Sequence, residues 1–196
     1  MMNFLAHLYL SGTDPKVKTG NFIGDFVKGR NLSERFEPAI VKGIELHREI
    51  DEFTDRHPVV LESKKRLRPK YRHYSPVIVD VFYDHFLAVN WSVFSNESLP
   101  DFAQGAYRII ETQKAQVPEQ VNQMMPYMIK GNWLVSYGQI EGIHRALSGM
   151  SRRTPYESKM EEASQDLRLY YEPFQQEFRL FFPELKAHAE QWLIQN

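Results

Sequence analysis

The sequence of 196 residues contains no cysteine, and this absence excludes several classes of site. Disulfide-stapled scaffolds, thiolate zinc sites, iron–sulfur clusters and cysteine nucleophiles all need the absent side chain. Any metal must therefore be held by histidine and carboxylate ligands. These are present, since the chain has seven His and 25 Asp and Glu residues.

The sequence also lacks a long apolar run and a net charge of either sign. No segment approaches the roughly 20 apolar residues of a membrane span. Residues 1–10 are apolar but have no basic leader and are interrupted by His7, so we expect no signal peptide. A formal net charge of −1 predicts no bulk attraction to nucleic acid. We therefore expect a cytoplasmic protein.

Hydrophobic residues recur at intervals of three and four rather than in alternation, which predicts an all-α fold. The length and the absence of repeats or linkers favour a single helical domain over residues 1–196. Prolines and capping residues predict helices at about 3–10, 15–29, 38–55, 76–91, 101–116 and 118–137. The helix at 76–91 is apolar on nearly all faces and is expected at the centre of the fold.

The C-terminal part carries a second pattern. Residues 149–155 predict a basic loop, and residues 160–181 predict a long amphipathic helix with a kink at Pro173. A last helix is expected to begin at Pro183.

Ionisable residues interrupt the apolar face of the helix predicted at 38–55. Ile40 and Ile44 begin an inward stripe that continues at His47, Asp51 and Asp55. Spacings of three and four place these side chains on one side of the helix, so His47 and Asp51 can converge on one point. Because burying an unpaired carboxylate is costly, the stripe predicts a nearby cation or metal.

Three further helices carry polar side chains at similar spacings. These are Asp80, Asp84 and His85 in the helix at 76–91, Asn21 and Asp25 in the helix at 15–29, and His7 in the first helix. A centre made of carboxylates and imidazoles without thiolates favours Mn²⁺, Mg²⁺ or Fe²⁺ and also allows Zn²⁺.

Structural roles stay open for some of these residues. A lone buried histidine such as His7 is more often a hydrogen-bonded core residue than a metal ligand. Asp80 fits an ion pair with Arg48 or Arg72, or a backbone cap, and Asp55 fits a helix C-terminal turn. Four separate structural roles would be a larger coincidence than one shared site for Asp25, His47, Asp51 and Asp84.

Charge is unevenly distributed along the chain. Residues 1–75 carry 14 Lys and Arg against 10 acids, whereas residues 76–196 carry 10 against 15. The densest basic run consists of Lys64, Lys65, Arg66, Arg68, Lys70 and Arg72. Such a run is usually a solvated face, and its functional alternative is a docking surface for an acidic partner. Arg152 and Arg153 form a separate pair suited to a phosphate.

A set of motifs follows in order along nearly the whole chain. They are Asn3-Phe4-Leu5-Ala6-His7-Leu8, Gly20-Asn21 with Gly24-Asp25-Phe26-Val27, Gly43-Ile44 with His47-Arg48-Glu49-Ile50-Asp51 and Thr54-Asp55, Asp80 with Asp84-His85-Phe86-Leu87 and Trp91, Trp133-Leu134 with Tyr137, and Gly149-Met150-Ser151-Arg152-Arg153. Together they resemble the bacterial acyl carrier protein phosphodiesterases.

This resemblance implies an enzyme that hydrolyses the phosphodiester between 4′-phosphopantetheine and a serine of holo acyl carrier protein. It also implies a fold similar to a divergent HD-type phosphohydrolase and a divalent metal, most often Mn²⁺. HD enzymes bind metal through an adjacent His-Asp pair, whereas the adjacent pair here is Asp84-His85, in the reverse order.

The resemblance and the residue pattern together assign roles. The predicted metal ligands are Asp25, His47, Asp51 and Asp84. The predicted catalytic residues are His85, Asp55 and Arg48, with His85 or a carboxylate outside the ligand set as general base. Predicted substrate contacts are His7, Asn21, Lys65, Arg66, Arg68 and Arg152, since acyl carrier proteins are acidic and the substrate carries a phosphate. Alternatives are an HD-like phosphohydrolase acting on a nucleotide or other small phosphoester, and a non-catalytic helical binding module.

Overall fold

A computed structural model describes residues 4–196, which contain α-helices and no strand. The α-helices are α1 (Phe4–Tyr9), α2 (Pro15–Ile23), α3 (Pro38–Arg56), α4 (Pro58–Tyr71), α5 (Ser75–Val89), α6 (Trp91–Phe94), α7 (Leu99–Thr112), α8 (Glu119–Lys130), α9 (Trp133–Ser136), α10 (Ile140–Ser151), α11 (Ala163–Leu169) and α12 (Tyr171–Gln195). The predicted all-α class is confirmed. The start predicted for the first helix, Asn3, lies outside the described residues.

Capping residues start the helices of the N-terminal part where the sequence predicts them. The Asp14 side chain accepts hydrogen bonds from the backbone N–H groups of Lys16 and Val17 at 2.7 and 3.2 Å. Pro15 then occupies the first turn of α2, and Pro38 occupies the first turn of α3. Proline is favourable there because its absent N–H has no partner in a first turn.

The C-terminal part differs from the sequence prediction. The helix expected at 160–181 is broken at Tyr170, and α12 begins immediately afterwards. Pro173 therefore lies in the first turn of α12 and does not kink a longer helix. The last helix does not begin at Pro183, because α12 continues through that residue to Gln195. Pro183 removes one backbone hydrogen bond but does not end the helix.

Two other segments also depart from the expected boundaries. The helix predicted at 118–137 ends at Lys130, because Asn132 takes the left-handed conformation with φ of 42° and separates α8 from α9. The basic segment expected as a loop from Gly149 is helical as far as Ser151.

Helix α5 lies at the centre, as its apolar sequence predicts. Nearly all its side chains from Ser75 to Ala88 are buried, and it contacts α1, α4, α10 and α12. The Phe174 ring of α12 packs edge-on against Phe82 of α5, with ring centroids 5.2 Å apart. Within residues 4–196, no helix combines the length and the hydrophobicity that crossing a bilayer requires.

Helices α2 and α3 approach each other through two glycines. A Cβ atom on Gly20 would lie 2.1 Å from a carbonyl oxygen of α3, and one on Gly43 would lie 2.1 Å from a carbonyl oxygen of α2. These distances are far inside van der Waals contact, so only glycine fits at both positions. The contact brings Asn21 of α2 beside His47 of α3.

Replacement of Gly43 by alanine is expected to lower the free energy of unfolding by about 2 kcal/mol, because the two helices must separate. The matched control is Gly105→Ala in α7, where a Cβ would meet no atom within 4 Å. That change is expected to raise the free energy of unfolding by up to about 1 kcal/mol, since alanine is the better helix former. Urea unfolding measures both, and an equal response of the two variants would contradict the close contact.

Candidate metal centre

Three side chains from α1 and α3 bring potential metal-ligand atoms together. The ligand atoms of His7, His47 and Asp51 lie within 4.8 Å of one another. Nε2 of His7 lies 3.4 Å from Oδ1 of Asp51, and Nε2 of His47 lies 3.4 Å from Oδ2 of Asp51. The two imidazole rings stack with centroids 4.0 Å apart. Both Nε2 atoms therefore face the same carboxylate.

Asp25 adds a second carboxylate to this group. Its Oδ1 lies 3.5 Å from Nε2 of His47. Asp25 belongs to a 3₁₀ turn that follows α2, and a Cβ on the preceding Gly24 would lie 2.2 Å from the His47 ring. Glycine thus lets the turn lie directly against the imidazole. The structure brings together three of the four predicted ligands, Asp25, His47 and Asp51.

Asn21 fixes the protonation of both imidazoles. Its Nδ2 donates to the carbonyl oxygen of His7 at 2.9 Å, so its Oδ1 is the atom that accepts from Nδ1 of His7 at 2.7 Å. The backbone carbonyl of Asn21 accepts from Nδ1 of His47 at 2.9 Å. Because these oxygens only accept hydrogen bonds, both Nδ1 atoms carry a proton, and the neutral rings present lone pairs at Nε2.

The two Nε2 atoms are buried without a hydrogen-bond partner. The pKa of His7 is lowered to about 4, mainly by burial and in addition by the neighbouring His47. Burial also lowers the pKa of His47. Both rings are therefore neutral at pH 7, with lone pairs directed at carboxylate oxygens. A buried polar atom without a partner costs about 1–3 kcal/mol, so two of them aimed at one point indicate a cation-binding site.

The separations between these atoms fit a divalent metal. Ligand atoms about 2.1 Å from one ion lie roughly 3.0–3.4 Å apart at octahedral or tetrahedral angles. The nitrogen–oxygen distances to Asp51 are 3.4 Å and the distance to Asp25 is 3.5 Å. Metal-binding histidines usually donate their other N–H to a carbonyl or carboxylate, as His7 and His47 do here to Asn21.

The sequence predicts substrate contact for His7 and Asn21, and the structure places both within the candidate centre. His7 contributes one of the converging Nε2 atoms, and Asn21 orients both rings. The signal for His7 is its position in α1, where it is the one basic residue and is buried with its apolar neighbours. Periodicity within α3 cannot reveal it, because His7 reaches the site from another helix.

Asp84 lies outside this group, although the sequence predicts it as a ligand. Its Oδ2 accepts from the backbone N–H of Leu5 and its Oδ1 from that of Ala6, both at 2.9 Å. Burial raises the pKa of Asp84 to about 7, while these two hydrogen bonds act in the opposite direction. Since both oxygens bind the backbone of α1, Asp84 anchors the helix that carries His7.

The three predicted catalytic residues also lie outside the group. His85 donates from Nδ1 to the carbonyl of Tyr137 at 2.8 Å, and its Nε2 lies 3.1 Å from the Tyr171 hydroxyl. Asp55 is exposed and pairs with a lysine of α4 at 2.6 Å. Arg48 donates to a loop carbonyl at 2.9 Å. The catalytic roles assigned to these residues stay predictions.

Asp80 is a buried carboxyl group near the candidate centre. It is 5% exposed, and burial raises its pKa to about 8, with the charge of Asp51 adding to the effect. Within residues 4–196, no ion pair joins Asp80 to Arg48 or Arg72. Its carboxyl group therefore holds a proton at pH 7 when no cation is bound nearby.

Three of the six residues of the basic run pair with acids outside α4. Arg66 donates two hydrogen bonds to Glu177 of α12, at 2.6 and 2.7 Å. Lys70 pairs with two acids of the C-terminal part, and Lys64 pairs with Asp55. These basic residues hold α4 against its neighbours and are already neutralised.

The remaining basic residues border a groove. Lys65, Arg68 and Arg72 line this groove, which has a volume of about 840 Å³. The Lys65 side chain is 77% exposed, and its nearest acid, Glu62, is 3.7 Å away. Arg152, the other predicted substrate contact, is exposed after the end of α10 and does not border this groove.

The chain matches the family model described as acyl carrier protein phosphodiesterase over residues 2–185. It is 35% identical over 190 residues to the acyl carrier protein phosphodiesterase of Photorhabdus laumondii, with 96% of each chain covered. It is 34% identical to that of Enterobacter sp. strain 638, covering 96% of this chain and 98% of the relative. It is 35% identical to that of Escherichia coli O139:H28, covering 96% and 97%. No solved structure matches significantly.

The metal-free protein is expected to lose stability as the pH falls from about 6.5 to about 4. The pKa of His7 is about 6.5 unfolded and about 4 folded, so the unfolded chain binds more protons in this window. The resulting decrease in the free energy of unfolding is absent above pH 6.5 and reaches about 3 kcal/mol below pH 4. Urea unfolding in chelator across this range should show a shallower slope for His7→Gln than for the wild type.

His73→Gln is the matched control, because His73 is exposed. It should keep the wild-type slope. A His7→Gln slope equal to that of the control would contradict the neutral, buried state of His7.

Proposed function

Because the chain belongs to the acyl carrier protein phosphodiesterase family, we propose that it hydrolyses the phosphodiester joining 4′-phosphopantetheine to the serine of a holo acyl carrier protein. The products are the apo carrier protein and 4′-phosphopantetheine, and residues 1–196 act as one helical phosphodiesterase domain. The observation that carries this proposal is the pair of buried, neutral imidazoles whose Nε2 atoms converge on Asp51.

The reaction depends on a divalent metal, for which Mn²⁺ fits the nitrogen and oxygen donors. His7, His47, Asp51 and Asp25 would hold it. A divalent cation at this point supplies positive charge to the phosphoryl oxygens and makes water more acidic. Asn21 keeps both Nδ1 atoms protonated, so the Nε2 lone pairs are presented without any change of tautomer.

Asp80 is the carboxyl group we assign to proton transfer. It lies outside the ligand set, its charge state is coupled to Asp51, and it is buried on α5. Hydrolysis leaves the serine oxygen of the carrier protein needing a proton, and a carboxyl group whose pKa is raised by burial can donate one. This assigns to Asp80 the acid–base role that the sequence predicts for His85 or a non-ligand carboxylate.

The carrier protein docks on the groove beside α4. Acyl carrier proteins are acidic, and Lys65 and Arg68 border the groove, Lys65 with only a loose contact to Glu62 at 3.7 Å, whereas Arg66 is neutralised by Glu177. Opposite charges on two approaching surfaces increase the association rate and make it sensitive to salt. The groove therefore supplies contact area and charge for a protein substrate rather than a small ester.

Two substitutions separate metal binding from proton transfer. Asp51→Asn is expected to abolish both Mn²⁺ binding and the conversion of holo to apo carrier protein, because the carboxylate shared by both imidazoles is lost. Asp80→Asn is expected to keep Mn²⁺ binding and to lower kcat by about 100-fold or more, the usual contribution of a general acid. Intact-mass analysis measures turnover, and titration calorimetry measures Mn²⁺ binding.

Glu111→Gln at the exposed surface of α7 is a control for replacing a carboxylate by an amide and should leave both quantities unchanged. Wild-type activity of Asp51→Asn would reject the proposed ligand set. Loss of Mn²⁺ binding in Asp80→Asn would place Asp80 among the ligands instead.

Charge reversal tests the docking surface. The double change Lys65→Glu and Arg68→Glu is expected to lower kcat/KM for holo acyl carrier protein at least tenfold, mostly through KM, with a smaller effect at high salt. The control reverses two exposed basic residues elsewhere, Arg108 and Lys114, with the same change in net charge. Equal losses in the two double variants would mean that net charge matters and the groove does not.

A further inference from the structure

A cavity of about 300 Å³ lies beside the beginning of α1, and no member of the candidate metal centre lines it. It lies between α1 and the segment from α8 to α10. Its walls and rim include Phe4, Trp133, Tyr137, Met150, Arg145 and Arg153. Arg153, not the predicted Arg152, is the arginine of that pair which borders the cavity.

Two neighbouring residues of α5 fix two of the walls of this cavity. Asp84 accepts the backbone N–H groups at the start of α1, which carries the Phe4 wall. His85 donates to the backbone carbonyl of Tyr137, which forms another wall, at 2.8 Å. Both hydrogen-bonded groups are buried, so the cavity is held open by the central helix and is formed before any ligand enters.

The lining combines aromatic walls with two cationic side chains. Arg145 and Arg153 are exposed at the cavity, and within residues 4–196 neither forms an ion pair. Arg153 donates from Nε to the carbonyl of Gly149 at 3.1 Å, which leaves its terminal N–H groups for other acceptors. Such a lining fits a slender ligand with apolar groups, several hydrogen-bond acceptors and no positive charge.

The cavity is also close to the candidate metal centre. Phe4 and His7 are one turn apart on α1, a rise of about 4.5 Å. The Phe4 ring packs against Phe22, the residue after Asn21, with centroids 4.9 Å apart. An extended pantetheine chain is longer than this separation, so one molecule can reach from the centre into the cavity.

We propose that this cavity binds the pantetheine arm of the substrate, and this inference rests on the function proposed above. The arm contains a dimethyl group that suits the aromatic walls, and two amide carbonyls and a hydroxyl that accept from the arginines. With its phosphate at the candidate metal centre and its arm in the cavity, the substrate is held at both ends of the first turn of α1. The protein part of the substrate then binds the groove beside α4, and the cavity recognises the prosthetic group.

Gly149→Leu tests the proposal by narrowing the cavity. Gly149 lines it, and a Cβ there would meet no atom within 4 Å, so a larger side chain enters open space rather than the backbone. Gly105→Leu in α7 is the matched control, with equally open surroundings outside the cavity. Calorimetric titration with 4′-phosphopantetheine at fixed Mn²⁺ should show at least tenfold weaker binding to Gly149→Leu. The wild type and the control should bind alike.

The same loss should appear in kcat/KM for holo acyl carrier protein, while Mn²⁺ affinity stays unchanged. A second variant, Arg145→Gln with Arg153→Gln, changes only exposed side chains and should also weaken 4′-phosphopantetheine binding several-fold. It keeps the test valid if Gly149→Leu does not fold.

The outcomes separate this inference from the proposed function. A wild type that does not convert holo to apo carrier protein rejects the proposed function. An active wild type whose 4′-phosphopantetheine affinity is unchanged in both cavity variants rejects the cavity assignment alone. Saturable binding of a fatty acid that 4′-phosphopantetheine does not displace would also reject it, because the cavity would then serve a different ligand.

Discussion

The direct backbone contact between α2 and α3 is the constraint on which the candidate centre depends. Gly20 and Gly43 allow the helices to approach until a Cβ on either would overlap a carbonyl oxygen. Only at this separation can the Asn21 carbonyl of α2 accept from His47 of α3 while its side chain binds His7. Asn21 thus orients two imidazoles from two helices. This arrangement is possible because Gly20 and Gly43 place no side chain between α2 and α3.

Two carboxylates, Asp51 and Asp84, serve opposite purposes in this fold. Asp51 faces two imidazole nitrogens that offer lone pairs rather than protons, which leaves its charge for a cation. Asp84 receives two backbone N–H groups and is satisfied by the protein alone. Both are aspartates that interrupt apolar stretches of predicted helices, so the sequence does not distinguish them. They differ in the atoms that face them. Backbone N–H groups donate to Asp84, whereas the imidazole nitrogens that face Asp51 carry no hydrogen. Only the assembled structure shows this difference.

The sequence predicts well what one helix determines by itself. The all-α class, the starts of α2 and α3, and the shared face of His47 and Asp51 all follow from local spacing and capping. The role of Asp84 does not, because its partners lie 79 and 78 residues away and are backbone groups that no side-chain pattern marks. The hydrophobic periodicity also does not predict the helix breaks at Tyr170 and Asn132, because the same spacing of apolar residues continues on both sides of each break. Helical spacing and the family resemblance both predict a centre that includes His47 and Asp51, and the structure brings His7 together with them.

Because Asp84 of α5 anchors α1, the candidate centre cannot be complete until α5 is present. Helix α1 has only six residues, too few to be stable alone, and its first N–H groups find their acceptor 79 residues later. A nascent chain that has emerged only as far as α3 already contains every candidate ligand but lacks the residue that holds His7 in place. The candidate centre therefore takes its final geometry only after α5 has been synthesised, because Asp84 holds α1 in place.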